Sequence, residues 1–260
     1  MNILIFDSGV GGLSIFDSIR ASVAHDLIYL ADHAAYPYGD KAEDWLVRRV
    51  VSLLTKAHKT FQADLIVVAC NTASTIALPE LRQQLPVPII GVVPAIKTAA
   101  QVTNNNRIGL LATPGTVSRP YIDNLISSFA SNCDVFRLGT TELVHMAEKK
   151  LSGQQVNLSE LELCIAPLIK NSVDCIVLGC THFPLLEPEL KKIHPSVKWV
   201  DSGEAIARRA SELLPNHPTS SIKGHRFYST IKPHSALVAQ LASFGFSHYE
   251  HYPMQLSETL

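Results

Sequence analysis

Eight short apolar runs, none of them alternating, constrain this chain more than any other feature. They read NILIF (2–6), LIYLA (27–31), LIVVA (65–69), PIIGVV (88–93), RIGLLA (107–112), DVFRL (134–138), CIVLG (175–179) and KWV (198–200). A strand with one wet face alternates polar and apolar residues, whereas a strand covered by helices on both faces does not. Between the runs, stretches such as GLSIFDSIRASV (12–23) place Leu13, Phe16 and Ile19 at helical spacing. This pattern predicts a doubly wound α/β architecture with mainly parallel sheets.

The runs also repeat. ADLIVVACNT (63–72) aligns with VDCIVLGCTH (173–182) at the aspartate, the central valine and the cysteine, and NILIFDSG (2–9) aligns more weakly with RIGLLATPG (107–115). Two similar α/β units are therefore expected. The tail offers a helix (IARRASELL, 206–214), a strand-like HRFYST (225–230) and a second helix (HSALVAQLASF, 234–244). If that tail returns to the first unit, the units are 1–95 plus 207–260, discontinuous in sequence, and 96–206.

Charge and thiols exclude several functions. Twenty-two basic residues against twenty-three acidic ones leave a net charge of −1, which is no footprint for nucleic acid. The pairs Arg48–Arg49, Lys149–Lys150 and Lys191–Lys192 read as solvated helix faces. No apolar run approaches the roughly 18 residues that span a bilayer, and MNILIFDSG lacks the basic start of a signal peptide. Five cysteines without framework spacing, in a chain that is 47% hydrophobic, read as free thiols in a reducing cytoplasm.

Ligands of such sheets bind beyond the carboxyl ends of the strands. The distinctive polar clusters sit there: Asp7-Ser8, Asp32, Cys70-Asn71-Thr72, Thr113 to Thr116, and Cys180-Thr181-His182. FDSGVGGLS (6–14) approaches a dinucleotide fingerprint, but Ser14 occupies the third glycine position and Asp7 would repel phosphate. Glycines 9, 11 and 12 fit better as a tight turn exposing N–H groups to a carboxylate. DHAAYPYGDK (32–41) reads as a loop, with Pro37 excluding helix and Gly39 free to take a positive φ. On spacing alone it is a plain turn.

Cys70 and Cys180 each stand before an expected helix start, where the dipole favours a thiolate and lowers the thiol pKa. Asn71 and Thr72 are good N-cap types, and Pro184 suits a first helical turn. A lone cysteine of this kind is more often structural. Two, with Asp7 ending one strand and His182 beside the second thiol, favour acid–base chemistry. Zinc is disfavoured because the Cys and His spacings match no usual ligand pattern. Pyridoxal phosphate is disfavoured because no lysine sits in a comparable cluster. Glu148 alone reads as an exposed helix glutamate.

Taken together, DSGVGG (7–12), PYG (37–39), ACNTAS (69–74), ATPGTV (112–117), TELV (141–144), GCTHFP (179–184) and DSGEAIA (201–207) resemble the cofactor-independent aspartate/glutamate racemases. CTH rather than CTE at 180–182 favours the glutamate branch. The resemblance implies two α/β domains with the site between them, no cofactor, and glutamate as a small-molecule substrate. It implies Cys70 and Cys180 as the acid–base pair on opposite faces of the substrate Cα. Asp7 would then assist Cys70, His182 would assist Cys180, and Glu148 would be a further partner. Substrate contacts carry over to Ser8, Tyr38, Gly39, Asn71, Thr72, Thr181, Thr113 and Thr116. A cytoplasmic role in D-glutamate supply for peptidoglycan follows from the same resemblance, as does a homodimer, since the family often dimerises. The alternatives are a related racemase or decarboxylase acting on another small acid, and a non-catalytic binding protein on the same scaffold.

Overall fold

The computed structural model describes residues 1–214 and 224–254. Parts of the expected first unit, 215–223 and 255–260, lie outside the described residues. Among the described residues, ten strands form two wholly parallel sheets. The larger is assembled from β1 (Ile3–Asp7), β2 (Leu27–Ala31), β3 (Leu65–Val68), β4 (Ile89–Gly91), β9 (His225–Ser229) and β10 (Phe246–His251), in the order β10-β9-β2-β1-β3-β4. The smaller takes β5 (Arg107–Ala112), β6 (Asp134–Gly139), β7 (Cys175–Leu178) and β8 (Lys198–Val200), in the order β6-β5-β7-β8. The doubly wound α/β expectation holds, and the reason is burial. Every residue of β1, β2, β3 and β7 is buried, as strands sandwiched between helical layers must be.

The sequence echo has a topological counterpart. The segment β2-β1-β3-β4 of one sheet and β6-β5-β7-β8 of the other share one strand order. β3 and β7, the two strands that end before cysteines, occupy equivalent positions. The helix Gly203–Leu213 lies along the helix Leu13–Ser22 on the larger sheet, so the expected limit at 206/207 falls inside an element. Strand β10 had no apolar signature: in FSHYEH only Phe246 is buried, because the strand forms the sheet's outer edge.

Beneath the larger sheet's carboxyl end sits a buried ion pair. Asp32, fully buried just past β2, accepts from Arg49 Nε at 2.5 Å and Nη2 at 2.7 Å, from Tyr38 Oη at 2.7 Å and from Thr230 Oγ1 at 2.9 Å. Arg49 is thus no solvated helix residue; it is 5% exposed. Four donors on one carboxylate fix the loop at 36–40 to the helix Glu43–Phe61 and to the end of β9. Removing one partner of such a pair strands the other charge in a dry interior. Arg49→Ala is expected to lower unfolding free energy by about 3–5 kcal/mol, measured by urea denaturation. A loss under about 1 kcal/mol, the scale of a surface pair, would contradict a buried anchor.

Candidate active site

In each sheet the chain goes one way from its first strand and then crosses back to the other side. The resulting switch points lie between β1 and β3 and between β5 and β7. Crevices open at such points beyond the strands' carboxyl ends. Asp7 and Cys70 flank the first, and Thr113 and Cys180 flank the second. The two crevices meet in one cavity of about 210 Å³.

That cavity collects most of the residues singled out by sequence. Ser8, Tyr38, Gly39, Cys70, Asn71, Thr72, Thr113, Thr116, Cys180, Thr181 and His182 line it. Asp7 and Glu148 do not; they stand behind the wall, touching residues that do. Tyr36, Asp40 and His145 also line the cavity, as do Pro37, Pro114, Gly115, Thr141 and Val144, which stood in the quoted motifs without being given a site role. Tyr38 enters with a restriction, since its hydroxyl is spent on Asp32. The stretch around it is two short 3₁₀ turns, His33–Ala35 and Tyr38–Asp40, and Gly39 keeps an ordinary negative-φ backbone.

On the first side, Asp7 is completely buried. Its Oδ1 accepts from Gly9 N at 2.8 Å and Ser8 Oγ at 3.3 Å, and its Oδ2 accepts from Thr181 Oγ1 at 3.0 Å. Ser8 Oγ lies 3.8 Å from Cys70 Sγ. Cys70 itself caps the helix Asn71–Gln84, a role sequence gave to Asn71 and Thr72. The expected depression of its pKa does not occur. Burial pushes the thiol up to about 12, with the Asp7 charge adding to the rise, while the Ala73 N–H and the Ser8 hydroxyl oppose it. A helix start contributes a fraction of a charge; loss of water outweighs it.

On the second side the helix argument also fails, for a different reason. Cys180 is followed by a 3₁₀ turn, Phe183–Leu186, and then by the short helix Glu187–Ile193. What attends this thiol is a side chain. Cys180 Sγ lies 3.9 Å from His182 Nδ1, and His182 Nε2 lies 2.7 Å from Glu148 Oε1. Burial disfavours charge on His182, yet its hydrogen bonds to Cys180 and Glu148 outweigh burial and lift its pKa to about 10. Glu148, read as a surface residue, is therefore a fixed partner. The glycine turn serves this side by contact: a Cβ on Gly11 would clash with the His182 ring, and none of Gly9, Gly11 or Gly12 has a positive φ.

Because His182 binds its proton more tightly folded than unfolded, it contributes stability that is complete below its ordinary pKa of 6.5. That contribution declines through the interval above 6.5 and is gone once pH passes about 10. The stability gap between the parent chain and His182→Gln is expected to narrow as pH rises across this window, followed by urea unfolding. A gap that stays constant would contradict a charged His182.

Asn71 Oδ1 is buried in the wall without a hydrogen-bond partner, which leaves an acceptor ready for a ligand's N–H. No lysine or arginine lines the cavity among the described residues. No cluster of three or more His, Cys, Asp or Glu able to hold a metal occurs among them, and no described helix is long and apolar enough to cross a membrane.

Known proteins resemble this chain along nearly its whole length. The family model for Asp/Glu/Hydantoin racemase matches residues 11–210. Glutamate racemase of Vibrio vulnificus (strain YJ016) is 48% identical over 258 residues, covering 97% of each chain. That of Shewanella frigidimarina (strain NCIMB 400) is 45% identical, covering 95% of this chain and 96% of its own. The crystal structure of Escherichia coli glutamate racemase, in complex with L-glutamate and the activator UDP-MurNAc-ala, superposes with a TM-score of 0.91 at 42% identity, covering 98% of this chain and 99% of that one. With two switch-point thiols in one cavity and these relatives over nearly its whole length, the chain belongs to the Asp/Glu/Hydantoin racemase family.

Proposed function

We propose that this chain interconverts L- and D-glutamate by passing the Cα proton between two thiols. The product would supply D-glutamate for peptidoglycan precursors in the cytoplasm. One observation carries the mechanism: Cys70 and Cys180, from separate sheets, line a single cavity. Each is backed by its own titratable partners, Asp7 behind one and His182 with Glu148 behind the other. The proposed units, 1–95 plus 207–260 and 96–206, contribute one thiol each. The 48% identity to a glutamate racemase supports the choice of substrate.

Racemisation removes a very weakly acidic proton from one face and returns one to the other. A single group cannot reach both faces of a fixed substrate, so two opposed groups are needed, each base in one direction and acid in the other. Cys70 would take the proton from D-glutamate and Cys180 from L-glutamate. With its pKa pushed up to about 12, the Cys70 thiol is protonated at neutral pH and must first lose that proton to act as a base. The substrate's ammonium group is a cation that would enter beside it and favour the thiolate. Ser8, Gly39, Asn71, Thr72, Thr113, Thr116, Thr181 and the backbone at Tyr38 would hold the ammonium and the two carboxylates with neutral groups. These, with the imidazolium of His182, would stabilise charge as it spreads from Cα.

The cavity is below the range typical of drug-sized ligands, which suits a small acid. The test is optical. L-Glutamate, or D-glutamate, incubated with purified protein and no added cofactor is expected to lose its rotation and reach equal amounts of both forms. Cys70→Ala and Cys180→Ala are each expected to lower the rate by about 10³-fold or more. Full activity in either variant would refute the two-thiol mechanism. Turnover of aspartate with none of glutamate would move the chain to another branch of the family.

A further inference from the structure

The glycine turn at 8–12 carries Asp7 and Ser8 on one side and seats His182 on the other, and it is pinned from beneath by a residue that never reaches the cavity. Tyr29, in the middle of β2, is completely buried. Parallel register puts Ile5, Tyr29 and Phe227 in one row across β1, β2 and β9. The Tyr29 ring stacks on Phe227 at 5.4 Å and 8°, with Phe16 and Phe246 edge-on at 6.3 Å each. This packing holds the ring, and with it the direction in which its hydroxyl points.

That direction is the turn. Tyr29 Oη donates to Gly9 O at 3.0 Å, while Gly9 N donates to Asp7 Oδ1 at 2.8 Å. Gly9 is thus held at both ends, by the phenol through its carbonyl and by Asp7 through its N–H. A Cβ at Gly12 would lie 2.8 Å from the same Oη, which accounts for a glycine there without any positive φ. Burial, and then the charges of Asp7, Glu148 and Cys70, raise the phenol well above its ordinary pKa, so it remains a donor throughout the working range. An apolar side chain of the same shape would leave the Gly9 carbonyl buried and unpaired.

We propose that Tyr29 is a positioning residue of the reaction: its hydroxyl fixes the Gly9 peptide, and through it the Asp7–Ser8 frame that surrounds Cys70. The inference rests on the proposed racemisation for its effect on rate. It also explains why the C-terminal strands belong to the first sheet, since Phe227 and Phe246 come from β9 and β10 and form the bed for Tyr29.

Tyr29→Phe keeps the ring and removes the donor. With glutamate as substrate, kcat is expected to fall about tenfold in both directions, with KM changing by less than kcat, because Ser8 is the one substrate-holding side chain in the loosened frame. Alkylation of Cys70 by iodoacetamide, resolved by mass spectrometry, is expected to change at least threefold as the frame around the thiol loosens. Leu54→Ala, which thins the packing on the opposite face of the sheet and lines no part of the cavity, is expected to lower the melting temperature while leaving kcat and Cys70 alkylation within about twofold. Unchanged kcat and unchanged alkylation in Tyr29→Phe would overturn the inference, as would equal losses in both variants, which would mean simple destabilisation. Should the parent chain leave glutamate untouched, the proposed function fails and the alkylation result alone decides for or against Tyr29.

Discussion

One buried carboxylate joins the two halves of this molecule. Asp7 ends the first strand of the larger sheet, and its two oxygens accept from Ser8 and Gly9 on its own side and from Thr181 on the other. Ser14 reinforces the junction by donating to the Thr181 carbonyl at 2.9 Å. With no exposed surface, Asp7 must have all its hydrogen bonds made by protein groups or be expelled. That requirement fixes the carboxyl ends of two separate sheets against one another. The cavity, the approach of Cys70 to Ser8 and the seat of His182 on the glycine turn all follow from it.

The electrostatics are unequal across the cavity. Around Cys70, dryness and the Asp7 carboxylate outweigh two donors, the Ala73 N–H and the Ser8 hydroxyl, and hold the thiol neutral. Around Cys180 a buried imidazolium bridges the sulfur and Glu148. Enantiomers have equal free energy, so kcat/KM must be the same from either side. Unequal surroundings can therefore appear only in kcat and KM taken separately. In the proposed racemisation, similar strands would serve one reaction run in both directions, and their different neighbours would set how each direction divides between binding and turnover.

Much of the architecture was legible because burial writes itself into composition. Runs such as LIVVA and CIVLG have no polar face to show, and the echo between 63–72 and 173–182 anticipated the shared strand order. What escaped was whatever depends on a distant partner. Arg49 looks like a surface arginine until Asp32 is beside it, and Glu148 looks like a surface glutamate until His182 is. Strand β10 was unreadable since its polar residues face solvent at an edge. The helix-start argument for the thiols failed on magnitude at Cys70, where desolvation exceeds a partial dipole, and on local structure at Cys180, where no α-helix begins.

The central claim is that two different groups handle the proton, one at each face. It is tested most directly by following L-glutamate in deuterium oxide at low conversion, with mass analysis of each enantiomer. The account predicts that the first D-glutamate formed carries deuterium at Cα while recovered L-glutamate keeps its hydrogen. Early D-glutamate that retains the original hydrogen would mean one group serves both faces, and would contradict it.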